Sequence, residues 1–101
     1  MNVVERFIHK FKQFDKSGEV VKTFTEGYCY YFACILCERF KIGTIWYSEK
    51  DNHFAARIGS RLYDITGDIT SRKADFIPWY KMQEVDSLVY ARLVRDCVRK
   101  L

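Results

Sequence analysis

Hydrophobic and polar positions follow two different periods along this chain. From Asn2 to Phe14, the residues Val3, Val4, Phe7, Ile8, Phe11 and Phe14 recur at steps of three and four, with Glu5, Arg6, Lys10, Lys12 and Gln13 on the other side. That spacing predicts an amphipathic helix covering the core from outside. His9 lies beside its apolar stripe and reads as a half-exposed surface histidine. Asp15-Lys16-Ser17-Gly18 ends the helix, and Glu19 to Glu26 reads as a loop or short extended piece. Next comes Gly27-Tyr28-Cys29-Tyr30-Tyr31-Phe32-Ala33-Cys34-Ile35-Leu36-Cys37-Glu38-Arg39-Phe40. It is apolar almost all round, as a helix buried in the middle of a fold is. Thr25 is its expected cap, and Gly43 suits a left-handed position after its end. Taking Cys29 as reference, Phe32, Ala33, Leu36, Cys37 and Phe40 share its face, whereas Cys34 points elsewhere.

The period then changes to two. Thr44–Ser48 is β-branched and aromatic, and His53–Ile58 and Arg61–Thr66 are joined through Gly59-Ser60, which favours a type II′ hairpin turn. With that turn, Phe54, Ala56, Ile58, Tyr63 and Ile65 share one face of the sheet. The other face carries His53, Ala55, Arg57, Leu62, Asp64 and Thr66, with His53 and Asp64 as diagonal neighbours. A register error of one residue would part them. Gly67 to Ala74 is polar loop or a short helical turn, and Asp75 to Tyr80, with the only proline, packs over one edge of the core. Asp86 caps a last amphipathic helix whose apolar positions are Leu88, Val89, Leu93, Val94, Cys97 and Val98. The expected fold is α+β: a buried central helix on an antiparallel sheet of three or more strands, flanked by N- and C-terminal helices.

Composition narrows the class. A chain of 101 residues, 49% hydrophobic and 17% aromatic, is one packed domain spanning residues 1–101 and not a disordered tail. Met1 to Phe14 lacks the continuous apolar core of a signal peptide. Glu38 and Arg39 interrupt the longest apolar run well short of the roughly 18 residues that span a bilayer. A cytoplasmic location is therefore expected, with the four cysteines as reduced thiols. The net charge of +4 permits an acidic partner, for which Arg92, Arg95 and Arg99 on the final helix are the natural contact.

The chemistry centres on Cys29, His53 and Asp64. A thiol nucleophile must be a thiolate, and a helix N-terminus together with an imidazole lowers its pKa. A carboxylate on the far ring nitrogen fixes the tautomer and holds the ring. The Cys29 N–H, in the helix's first turn, is placed to receive an oxyanion. Asp51 and Asp68 are the alternative partners of His53 if the register differs. The competing reading makes Cys29 a small core hydrophobe. The spacing of Cys29, Cys34 and Cys37, with Cys97 as a fourth, matches an iron–sulfur pattern, but the helical period between them opposes a cluster-wrapping loop. Zinc lacks paired short spacings. No metal or cofactor is expected, and Cys34 and Cys37 are core. The aromatics suggest base stacking only where cations gather beside them, and here the cations are spread over both terminal helices.

The segments Gly27–Ala33 and His53–Asp64 resemble the papain-like cysteine hydrolase superfamily, in its compact transglutaminase-like and NlpC/P60-like branches. The resemblance covers residues 25–67. It implies a Cys-His-Asp triad of Cys29 as nucleophile, His53 as base and Asp64 as orienting residue, acting on the amide of a protein or peptide as peptidase, amidase, deamidase or acyltransferase. The chain is short for these families. That brevity suits a phage or mobile-element protein, or a scaffold that only binds, inhibiting a host protein or nucleoprotein complex.

Overall fold

Asn2 starts the first helix, α1 (Val3–Phe11), through a reciprocal capping box. The Glu5 N–H donates to Asn2 Oδ1 at 2.8 Å, and the Asn2 N–H donates to Glu5 Oε1 at 3.3 Å. The structure is a computed structural model and describes residues 1–100. Val4 and Ile8 are the buried positions of α1, and Phe7 packs against the core. The expected stripe stops short of Phe14, which lies beyond the helix and is exposed.

The expected loop at residues 19–26 is instead a helix, α2 (Glu19–Thr25). Gly18 leads into it with a φ of +76°, and Val20, Val21 and Phe24 pack against the core. Two turns are too few for this period to stand out in the sequence. Thr25 is therefore not the cap of the next helix: its hydroxyl donates backwards, to the Val21 carbonyl at 2.8 Å. Gly27, with a φ of +108°, turns the chain, and Tyr28 takes the N-cap position of α3 (Cys29–Arg39) without a side-chain bond.

Helix α3 buries Cys29, Phe32, Ala33 and Leu36, the face read from the sequence. It ends at Phe40, and Gly43 does not adopt the left-handed conformation expected of it. Gly43 supplies space instead. A Cβ there would lie 3.0 Å from the Phe40 carbonyl oxygen, 3.1 Å from Ile58 Cγ1 and 3.2 Å from Cys37 Sγ.

The strands β1 (Thr44–Ser48), β2 (His53–Ile58), β3 (Arg61–Asp64), β4 (Gly67–Asp68) and β5 (Ile77–Pro78) form one antiparallel sheet in the order β4-β3-β2-β1-β5. The β2–β3 hairpin turns through Gly59 (φ +65°) and Ser60, pairing Ile58 with Arg61 as the sequence predicts. Both faces are covered. Phe54, Ala56, Ile58, Tyr63 and Ile65 join the core beneath α3, whereas Ala55 and Leu62 pack on the other side with Ile69 and Phe76. A 3-10 segment, Thr70–Asp75, connects β4 to β5 and helps to cover that second face.

After β5, a short 3-10 turn (Trp79–Lys81) leads into α4 (Met82–Val85), which the sequence reading did not separate from its surroundings. Asp86 caps α5 (Ser87–Leu93), its Oδ1 accepting from the Val89 N–H at 3.1 Å. Leu88, expected in the core, is exposed; Leu93 is the residue of α5 that is fully buried. The chain continues in a wider, π-helical turn, Val94–Val98, which docks on α3 where the Tyr31 hydroxyl donates to the Val98 carbonyl at 2.7 Å. The result is the α+β arrangement expected, with the central helix packed on one face of a five-stranded sheet. No helix among the described residues is long and apolar enough to cross a membrane.

Candidate active site

The site forms where the start of α3 meets the start of β2 and the end of β3. The hairpin pairs Ala56 with Tyr63 and Arg57 with Leu62. Continuing that register sets Asp64 opposite Ala55, one diagonal from His53. The two side chains meet there: His53 Nε2 lies 2.8 Å from Asp64 Oδ2, with both residues buried. The other carboxylate oxygen accepts from the Thr66 N–H at 2.8 Å and from the Thr66 hydroxyl. Asp64 is thus held on both oxygens, and Nδ1 of His53 remains for the thiol.

Cys29 occupies the first position of α3, where the backbone N–H groups have no partner within the helix. Across the layer, the Phe54 N–H donates to Cys29 Sγ at 3.5 Å. Burial pushes the thiol's pKa up, but hydrogen bonding from His53, the Phe54 N–H, the His53 charge and the Tyr30 N–H together bring it below its ordinary 9.0. Burial likewise opposes the His53 charge, yet the bond to Asp64 and the contact with Cys29 raise its pKa to about 9. For Asp64, burial acts upwards and is outweighed by His53 and Thr66, so its carboxyl stays below 3.8. All three shifts favour the charged forms: thiolate, imidazolium and carboxylate.

The remaining cysteines behave differently. Burial, with a smaller push from Cys34, raises Cys37 to about 11, and burial also raises Cys34 and Cys97. The alternative carboxylates are engaged elsewhere. Asp51 accepts from Arg72 at 2.8 Å and Asp68 from Arg61 at 2.5 Å. Of the C-terminal cations, Arg95 is held in a fork by Asp96 at 2.7 and 3.1 Å. His9 is exposed on α1.

Three features of the site escaped the sequence reading. The Phe54 N–H is a backbone group, which sequence cannot single out. Asn52, just before His53, has a φ of +49°, and its Oδ1 accepts from the hydroxyl of buried Tyr47 at 2.7 Å. An Asn one residue before a strand is a fair signal for such a left-handed turn. Lys100 reaches back from the C-terminal segment, donating to the Gly27 carbonyl at 3.3 Å with its Nζ 4.6 Å from the Tyr28 ring centroid.

Fold and site together define a small α+β protein with a Cys, a His and an Asp gathered at the start of its central helix. Residues 6–92 match the family model described as Phage YunG-like protein, and the chain belongs to that family. No curated protein and no solved structure matches the chain.

Proposed function

We propose that the chain is a papain-like thiol hydrolase or acyltransferase acting on an amide. The carrying observation is His53, whose Nε2 is on Asp64 at 2.8 Å while its other side supports a thiolate at Cys29. In the first half-reaction, the Cys29 thiolate attacks the amide carbonyl carbon. The oxyanion that forms is received by the Cys29 N–H, which the helix leaves unused. The carbon–nitrogen bond then breaks, the imidazolium passes its proton to the departing amine, and an acyl thioester remains on Cys29. In the second, His53 takes a proton from water or from an acceptor amine, which attacks the thioester. The acid or new amide leaves and the thiolate is restored. Asp64 keeps the ring in the tautomer and orientation that both transfers need.

Two measurements test this reading. Iodoacetamide labels Cys29 well below the pH at which Cys34 and Cys37 react, and His53→Ala abolishes that preference. Equal, slow labelling of all four cysteines would sink the proposal.

A second reading draws on the family itself. A phage-type protein whose Cys29 is only 7% exposed fits a binding module that inhibits a host protein or nucleoprotein complex. Its acidic partner would meet Arg92 and Arg99. In that case Cys29→Ala keeps the biological effect, and charge reversal at Arg92 and Arg99 removes it.

A further inference from the structure

Lys100, at the end of the C-terminal segment that docks on α3, lies on the two residues ahead of the nucleophile. Its bond to the Gly27 carbonyl, at 3.3 Å, is long for an ammonium donor, whose charge-assisted bonds run nearer 2.7–2.9 Å. An ammonium has three N–H groups, and none of the ion pairs among the described residues uses this one. The nearby carboxylate of Asp96 is already taken by Arg95. Gly27 makes the approach possible: a Cβ there would stand 2.7 Å from Lys100 Nζ. From Gly27 to Cys29 is two residues, at most about 7–8 Å of chain. The first turn of α3 adds positive potential at the same place.

We propose that Lys100 is a specificity-determining residue, selecting amide substrates that carry a carboxylate close to the bond attacked by Cys29. The carboxylate takes over Lys100 from the Gly27 carbonyl, exchanging a long neutral partner for a charged one, and the ring of Tyr28 forms the floor beside it. This inference rests on the thiol-hydrolase reading and names the substrate class for that site.

The test uses two alkylating agents of similar size on the full chain, neutral iodoacetamide and anionic iodoacetate, at pH 7 and low salt. Labelling at Cys29 is resolved from the other cysteines by peptide mass spectrometry. The expected iodoacetate-to-iodoacetamide rate ratio at Cys29 exceeds that of a small free thiol. Lys100→Met, which keeps the stem and drops the charge, lowers the ratio about three- to tenfold and leaves the iodoacetamide rate within about twofold. Lys100→Arg keeps the ratio high, and Arg95→Met, whose charge Asp96 already neutralises, leaves it unchanged. An unaltered ratio in Lys100→Met overturns the assignment while leaving the triad reading intact. An iodoacetamide rate at Cys29 no higher than at Cys34 overturns the triad reading, and this inference with it.

Discussion

His53 and Asp64 stand eleven residues apart in sequence and 2.8 Å apart in space, with both side chains buried. The pairing follows from one glycine-led turn, because the register that Gly59-Ser60 imposes brings the imidazole and the carboxylate to the same face.

Removing the carboxylate's charge has a consequence for pH dependence. The folded pKa of Asp64 lies below its ordinary 3.8, so its contribution to stability is present above 3.8 and is lost as pH falls through the folded value. Asp64→Asn therefore lacks this limb of the acid unfolding curve. At pH 7 it costs about 1–3 kcal/mol in urea denaturation, through the bond weakened at buried His53. In the same variant the His53 ring, followed by NMR, titrates below the value of about 9 expected for the native chain. A ring still titrating near 9 would show that Asp64 does not set its charge.

Tyr47 and Asn52 govern how His53 enters β2. The tyrosine hydroxyl fixes the Asn52 amide at 2.7 Å, and Asn52 holds a φ of +49° immediately before the histidine. Tyr47→Phe keeps the ring in the core, so its stability cost stays near 1 kcal/mol. Its effect falls on the pH profile of Cys29 alkylation, which moves towards the ordinary thiol value as His53 loses its fixed position. Asn52→Gly, which accepts a positive φ, retains more of the native profile than Asn52→Ala does. Identical profiles for Tyr47→Phe and the native chain would remove Tyr47 from this role.

Gly43 gives a prediction about packing. Its φ is not positive, so alanine meets no backbone penalty there, but the new methyl falls 3.0–3.2 Å from Phe40, Ile58 and Cys37. Overpacking of this kind costs about 1–3 kcal/mol. A urea midpoint for Gly43→Ala equal to that of the native chain would mean that α3 and β2 part without strain.

Some of this was legible in the residues. Helical phase singled out Cys29 from Cys34, alternation placed His53 and Asp64 together, and Asp86 signalled its helix. Other expectations failed for identifiable reasons. Phe14 and Leu88 carry the right period but lie where no layer covers them, since a stripe specifies a face and not what meets it. Helix α2 is too short for periodicity to distinguish it from a loop. Thr25, a good cap by type, is spent on its own helix.

The sequence by itself determined the elements that depend on neighbours in the chain: the buried run of α3, the turn between β2 and β3, and the face each residue of that hairpin occupies. These are set by backbone sterics and by periods of 3.6 and 2, which act over a few residues. Only the tertiary structure decided what surrounds the thiol. The Phe54 N–H on Cys29 Sγ spans 25 residues, and Lys100 on Gly27 spans 73. Neither contact has a local signal, because every residue but proline carries an N–H and every lysine a mobile cation. Burial of one shared core, which closes α3 on β2 and the C-terminal turn on α3, selects these partners from the many that the sequence allows.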